Sequence, residues 1–400
     1  MAEKFEIKYY YMGQGDCILI VCPNGKLVMI DCGSAKGLYD NEDLLLDVCT
    51  NVRKYTSKNS GKIDILILTH KDKDHYNQVM NIFSERSFMD EDEDDLPKVN
   101  IDTVYFSSPA TPSASFAMTQ FSQNSCGNSI IVNSYKTKTI KQVFINNTEQ
   151  KVLTYTKGTN FRIASGTTAQ IKNYKLTLLS DTTPGGKKWS VSIIAGQVPE
   201  TPPAKGQPKQ DPTNALSLCT LLQFDTSKAL FLGDATIATE KFLMKRQKAL
   251  IKDLDFVHIP HHGSRTSSSQ AFVDLVNPKG AEVTHETFET GNRLPKENVL
   301  DRWIKKIEDK DDVTAHAIDS WEEIKGIQFA NIIARWKKNK YSIMVYGNTA
   351  YILKIPKGFR NNYVCVYRTK TQYWGLYRSQ SDTNLWGTGA DDFNKWTLPL

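Results

Sequence analysis

The sequence predicts an α/β protein with a strand-rich C-terminal tail. Three observations carry that class. Short apolar runs of strand length alternate with segments of helical periodicity over the first 310 residues. Gly, Pro and an Asn-Gly pair stand between the runs as turn formers. Ionisable clusters follow the ends of apolar strands, the rim at which open α/β sheets bind ligands.

Taken in order, a strand over 6–12 leads into a Gly-rich turn at 13–16. Strands over 17–22 and 26–31 flank Pro23-Asn24-Gly25, a hairpin signal. A helix over 41–55 places Leu44, Leu45, Val48 and Val52 on one face. The buried strand 63–68 then runs into Thr69-His70-Lys71-Asp72-Lys73-Asp74-His75, and the acidic run 89–95 reads as a solvated loop. Strands follow over 103–106, 152–156 and 174–179. Residues 181–214 hold six of the fifteen prolines with clustered Gly and Lys, and read as a surface flap or insertion. Strands over 216–224 and 229–232 end in Gly233-Asp234. After a helix over 239–250, the strand 255–259 ends in Pro260-His261-His262-Gly263-Ser264. A helix (270–276), a strand (281–284) and a helix (296–307) complete a main domain of residues 1–310. Residues 311–340 read as a helical connector and 341–400 as a small β-rich module, with seven Lys/Arg against three Asp/Glu.

Composition excludes several classes. Four hundred residues with 40% hydrophobic and 24% charged side chains are not disordered and can bury a sizeable core. No apolar run approaches the roughly 20 residues of a membrane span. The first residues lack the apolar core and cleavage site of a secretory signal, so the expectation is a soluble, cytoplasmic protein. Seven scattered cysteines without a CxxC pair fit a reducing compartment. The net charge of +6 permits an anionic substrate without demanding one.

Histidine carries the most information. Of seven, five fall in two windows at strand ends: His70 and His75, then His258, His261 and His262. His70 and Asp72, two apart in an extended loop, point to one side and can grip one cation, while Asp74 and His75 can grip a second. Imidazole with carboxylate suits a divalent ion of the zinc, manganese or iron type. Two further strand ends offer Asp234 and the His261-His262 pair.

With these motifs in view, the chain resembles the metallo-β-lactamase fold hydrolases. More narrowly, it is similar to the soluble hydrolase domain of ComEC-type competence proteins and their stand-alone relatives. The matching pieces run in family order over residues 5–305: Met12-Gly13-Gln14-Gly15-Asp16-Cys17-Ile18-Leu19-Ile20, Met29-Ile30-Asp31-Cys32-Gly33, Leu68-Thr69-His70 with Asp74-His75, Phe231-Leu232-Gly233-Asp234, and Ile259-Pro260-His261-His262-Gly263-Ser264-Arg265-Thr266-Ser267. The tail lies outside the match.

The resemblance implies a four-layer αβ/βα sandwich with a dinuclear metal site on one edge. Two divalent ions, zinc or manganese, would be held by His70, Asp72, Asp74, His75, Asp234 and one of His261 and His262, with Asp234 bridging. Asp31 matches an aspartate that orients the ligand loop, its alternative being a hairpin turn residue. Asp16 and Gln14 would support the same edge. Three departures stand out. Asp72 replaces a commoner histidine, which favours harder cations. The stretch Asn214-Ala215-Leu216-Ser217-Leu218-Cys219 supplies no further histidine, which thins one metal's shell and weakens its occupancy. Asn292-Arg293-Leu294-Pro295 replaces a late His-Pro element.

Such a site hydrolyses by an activated water, and a phosphodiester (nucleic acid or nucleotide) is the leading substrate class. Asp74 and His285 are the candidate catalytic residues, with His285 as general acid or, alternatively, an ordinary surface or core histidine. His258, within its strand, reads as structural. Ser264, Arg265 and the serines at 267–269 would bind phosphate oxygens or cap the next helix. Lys187, Lys188, Lys205 and Lys209, with the aromatic, basic tail, would track a nucleic-acid strand, unless the tail packs its aromatics in its own core. Hydrolysis of an ester, lactone or amide is the alternative chemistry, and a non-catalytic, defence-system type of binding protein the alternative class.

Overall fold

Alternating apolar residues in the first strands feed two cores at once. Ile7 of β1 (Glu6–Tyr9), Ile18 and Ile20 of β2 (Ile18–Val21), Val28 and Ile30 of β3 (Leu27–Ile30) and Ile65 and Ile67 of β4 (Lys62–Leu68) enter one core. Leu19, Leu27, Met29, Leu66 and Leu68 enter the other. This is the period-two geometry of a sheet covered on both faces. The structure is a computed structural model. It describes residues 5–10, 12, 15–34, 42–86, 95–107, 139–155, 167–200, 212–278 and 280–284, residues 294, 296, 298, 299, 302, 303 and 306, and seven strands of the tail.

The first sheet continues through β5 (Asn100–Phe106), β6 (Thr139–Ile145), β7 (Gln150–Tyr155) and β8 (Thr167–Gln170), neighbours in chain order. Strands β3 to β6 are parallel and the flanking pairs antiparallel. The second sheet holds β9 (Leu176–Thr182), β10 (Lys188–Ala195), β11 (Cys219–Phe224), β12 (Ser227–Phe231), β13 (Phe256–His258) and β14 (Gly280–Thr284), again in chain order, with β12, β13 and β14 parallel. The sheets share the first core, and Phe5 joins them edge-on to Trp189 (ring centroids 5.4 Å apart) and Phe224 (6.1 Å). Helices α1 (Glu42–Thr56) and α2 (Val79–Phe83) close the outer face of the first sheet through Val48, Val52, Val79, Ile82 and Phe83. Helices α3 (Ile237–Arg246), α4 (Lys248–Ile251) and α5 (Gln270–Val276) bury Phe242, Leu243, Ile251, Phe272 and Val273 with the second sheet. The architecture is therefore αβ/βα in four layers.

Buried Arg53 fixes α1 to the end of α2. Its guanidinium donates to Cys49 O, Ile82 O, Ser84 O and Pro97 O at 2.5–2.9 Å, of which Ile82 and Ser84 offer carbonyls that the end of α2 leaves open.

The structure corrects three of the sequence expectations. Within the stretch expected to be an insertion at 181–214, residues Lys188–Ala195 form β10, which lies between β9 and β11. Its alternating buried Trp189, Val191 and Ile193 were hidden among Lys, Gly and Pro neighbours. Residues 201–211 lie outside the described residues. The connector expected to be helical carries strands β15 (Trp321–Ile324) and β16 (Asn331–Lys337). β16 pairs with β14 and with β17 (Lys340–Val345), so non-local pairing decides over local propensity. The tail is also not wholly separate. Strands β18 (Ala350–Leu353), β19 (Asn362–Arg368) and β20 (Tyr373–Ser379) pair only within the tail and connector, but β21 (Lys395–Thr397) pairs with β1.

Strand direction brings the ionisable clusters together. The C-terminal ends of β3, β4, β12, β13 and β14 and the N-terminal ends of β2 and β11 share one rim. The turn 183–187 sits at the opposite end of the second sheet, since Trp189 pairs with Phe224 and Phe224 with Ser227, away from Asp234. Lys187 and Lys188 therefore do not line the rim, a correction to the expected nucleic-acid track. Lys205 and Lys209 lie outside the described residues. No helix among the described residues is long and apolar enough to cross a membrane.

Candidate metal centre

Asp31 ends β3 at a left-handed backbone (φ 55°), with its carboxylate fully buried. It accepts the backbone N–H of Thr69 (2.7 Å), the Thr69 hydroxyl (2.6 Å) and Nδ1–H of His75 (2.8 Å). Because Thr69 donates its hydroxyl proton to Asp31, its oxygen accepts Nδ1–H of His70 at 3.1 Å. Both imidazoles are thereby set in the tautomer that presents Nε2 as a lone pair.

The second His pair is oriented in the same way. His262 Nδ1 donates to the carbonyl of Thr284 at 2.9 Å. The Thr266 hydroxyl donates to Ser264 Oγ (3.0 Å) and so accepts Nδ1–H of His261 at 2.6 Å. Both histidines are left-handed (φ 53° and 48°). Left-handed non-glycine residues cost on the order of 1–3 kcal/mol each and persist where surrounding contacts over-determine them. Here His261 N–H is held by Gly233 O (3.0 Å) and the Ser267 hydroxyl by Pro260 O (2.9 Å). Gly233 is itself left-handed (φ 49°), and a Cβ there would lie 2.8 Å from Thr69 Oγ1.

All four Nε2 atoms face Asp234, which follows Gly233 at the end of β12. Asp234 Oδ1 lies 3.3 Å from His75 and 3.5 Å from His262, and Oδ2 lies 3.7 Å from His261 and 3.8 Å from His70. Asp74 joins the first pair (Oδ2 3.7 Å from His262 Nε2) and Asp72 the second (Oδ2 3.5 Å from His70 Nε2). One carboxylate thus divides the donors into two sets. Proximity cuts across this division at His75: its ligand atoms lie within 4.8 Å of those of His70 and Asp234, of Asp74 and His262, and of Asp16 and Asp31.

The donor set fits divalent cations on an independent observation. His70 Nε2, His75 Nε2, His262 Nε2 and Asp234 Oδ1 are buried without a hydrogen-bond partner. Buried polar atoms are almost always satisfied, and three orphaned imidazole nitrogens converging on a carboxylate with an orphaned oxygen of its own are what cation binding would account for. Electrostatics agree. Burial would raise the pKa of Asp234, but His262, His75 and His261 hold it well below the usual range. Burial would lower that of His75, yet Asp234 and Asp31 hold it well above, and His262 is raised by Asp234, Asp16 and Asp74 against its own burial. His261 shifts down, chiefly by burial. Asp72 is kept low by His70 despite burial.

A support layer lies beneath. The Thr284 hydroxyl donates to Asp16 Oδ1, which is also 3.5 Å from His258 Nε2, and Asp16 Oδ2 is 3.8 Å from His75 Nδ1. His258, His75 and His262 hold the Asp16 carboxyl well below its usual range against burial. The structure therefore brings His70, Asp72, Asp74, His75, Asp234, His261 and His262 to one place, with Asp16 and Asp31 behind them. His258 is buried in its strand and backs Asp16. Gln14 and His285 lie outside the described residues.

Sequence reasoning missed Thr69, Thr284, Thr266 and Asn214. Only Thr69, wedged between strand and ligand loop, gave a local signal. The serines at 267–269 neither face a substrate nor cap α5 by their hydroxyls. Ser267 and Ser268 are fully buried, and the N–H groups of Ser268 and Ser269 are taken by the carboxylate of Glu240 on α3. Ser264 is half-buried and Arg265 is exposed, donating to Asn298 Oδ1 at 3.3 Å.

Glu240 has a testable consequence. Burial raises its pKa to about 7, outweighing the serine N–H groups and Arg302 that favour the carboxylate. Stability from this group is present below the unfolded value of 4.5 and is lost as pH rises to about 7, a decline on the order of 3 kcal/mol at most. Urea unfolding at pH 5 and pH 8 should show a smaller pH-dependent decrease in Glu240→Gln than in the wild type.

Against this geometry, residues 10–88 match the metallo-beta-lactamase superfamily. The matched segment carries Asp16, Asp31, His70, Asp72, Asp74 and His75. The mixed α/β architecture, with two large sheets and a few helices, is consistent with the metallo-β-lactamase fold. No curated protein sequence matches the chain. Among solved structures, the chain is similar to human tRNase Z, short form (11% identity, 68% of this chain and 90% of that one, TM-score 0.36). It is also similar to a diphosphatase from the PhnP family (10%, 70% and 85%, 0.31) and to Zn(2+)-bound PqqB from Methylobacterium extorquens (12%, 65% and 73%, 0.32).

Proposed function

We propose that this chain is a metal-dependent phosphodiesterase or nuclease whose residues would hold two divalent ions, zinc or manganese, on either side of Asp234. The single observation behind the reading is the division of four imidazole lone pairs and two further carboxylates between the two oxygens of Asp234. Bound divalent ions supply Lewis acidity and lower the pKa of water toward neutrality. The protein's own contribution is orientation. Asp31 and Thr69 hold His75 and His70, Thr284 holds His262, and Thr266 holds His261, so that no reorganisation is needed when charge develops. Asp74, half-buried at the edge of the site, is the carboxylate placed to take a proton. His285, the residue after Thr284 in the sequence, is the proposed donor to the leaving oxygen. Ser264 and exposed Arg265 offer a hydroxyl and a guanidinium to phosphate oxygens. The hard carboxylate of Asp72 and the ComEC-type order of motifs support a phosphodiester over an ester, lactone or amide. The free, buried Cys17, Cys22, Cys32, Cys49 and Cys219 support a reducing, cytoplasmic setting.

Protein supplied with Mn²⁺ or Zn²⁺ should cleave DNA, RNA or bis(p-nitrophenyl) phosphate, and His70→Ala should reduce cleavage to background. Cleavage that survives His70→Ala would overturn the assignment. Turnover confined to carboxylic esters, lactones or amides would move it to the alternative chemistry.

A further inference from the structure

Asn214 opens the short turn Asn214–Leu216 before β11 and is 4% exposed. One end of its amide, placed as Nδ2, lies 2.9 Å from His261 Nε2, the atom 3.7 Å from Asp234 Oδ2. Its carbonyl oxygen is buried without a hydrogen-bond partner. The two ends of an amide exchange by a half-turn of the side chain, so either can face the histidine.

From this geometry we propose that Asn214 is a cation ligand of the Oδ2 half of the centre, through its carbonyl oxygen. The inference rests on the metal-centre reading above. Turned toward His261, the carbonyl would set two lone pairs 2.9 Å apart, which repel unless a cation lies beside both. Two ligands of one ion at about 2.1 Å and near right angles are about 3 Å apart, as observed here. The turn brings the orphaned oxygen to His261 and carries the amide nitrogen to the place that oxygen leaves. An amide oxygen is a neutral, hard donor. With Asp72 and Asp234 it gives this half three oxygens beside His70 and His261, a set that favours Mn²⁺ over Zn²⁺.

The test is calorimetric titration of the chelator-stripped full chain with MnCl₂ and ZnCl₂, with bound metal counted by elemental analysis and melting curves as a control on folding. The wild type should take up two ions. Asn214→Ala should weaken one of them about 10–100-fold for Mn²⁺ and leave the other unchanged. Asn214→Asp, which keeps the shape and adds charge, should tighten that ion, and Asn214→His should turn its preference toward Zn²⁺. Two ions bound by Asn214→Ala with wild-type affinities would overturn the inference and leave the centre standing, with Asn214 only a neighbour of His261. If Asn214→Ala fails to fold, unchanged Mn²⁺ affinity in Asn214→Asp overturns it equally. A wild type that binds neither metal would overturn the underlying reading instead.

Discussion

Replacing Asp234 by alanine should remove divalent metal and hydrolysis together while both sheets stay folded. Among the described residues no other side chain faces four imidazoles, and its two oxygens serve both donor sets. Without it, His70, His75, His261 and His262 point at one another with no counter-charge, and the raised pKa values of His75 and His262 should fall toward those of buried neutral imidazoles. Metal affinity should drop by more than about 100-fold for both ions, because a shared ligand is lost rather than an outer-shell partner. Asp74→Ala, which touches only the His75–His262 set, should spare one ion. Elemental analysis and Mn²⁺ titration of the two variants, with circular dichroism as control, separate these outcomes; two ions retained by Asp234→Ala would remove Asp234 from its bridging place. Acid should act in the same direction as the substitution. Protons compete for His75 and His262, whose pKa values are raised, so metal affinity should decline on acidification through that range.

Much of this was legible in the sequence because the chemistry sits in contiguous windows. The window from His70 to His75 follows β4, the His261-His262 pair follows β13, and Asp234 follows β12, so strand ends alone brought them to one rim. The groups that support the centre from a distance were not legible. Thr284 reaches Asp16 across 268 residues, and Asn214 reaches His261 across 47, and neither spacing leaves a periodic trace. The serines misled for a related reason. A Ser run before a helix signals capping, but Glu240 fills that role from another helix, a tertiary contact. At the fold level, β10 was lost because Lys, Gly and Pro around it suggest a loop. β16 was lost because its partners, β14 and β17, decide its state.

Gly33→Ala tests how tightly the ligand loop is held by backbone rather than by side chains. Gly33 follows Asp31 and Cys32, and the loop is stitched to this segment by main-chain bonds: Cys32 N–H to His75 O (2.8 Å), Gln78 N–H to Cys32 O (3.0 Å) and Asp16 N–H to Asp74 O (3.1 Å). A Cβ on Gly33 would lie 2.2 Å from Asp74 C, 2.3 Å from Asp74 O and 2.3 Å from His75 N. These atoms belong to the backbone that carries two of the donors, so the clash cannot be relieved by turning a rotamer. Either the loop moves, and His75 leaves Asp234 and Asp74 leaves His262, or the sheet end moves, and Asp31 leaves His75. Overpacking of this kind costs about 3 kcal/mol or more. Gly25 is the control. Its backbone is left-handed (φ 82°), which that of Gly33 is not, but a Cβ there meets nothing within 4 Å, so Gly25→Ala should cost only about 1 kcal/mol, the strain of the backbone alone. Urea unfolding of the two variants should therefore differ by about 2 kcal/mol or more, and only Gly33→Ala should also lose metal. Equal stabilities, with metal retained in both, would mean that the loop is free to shift and that side-chain contacts alone hold the centre.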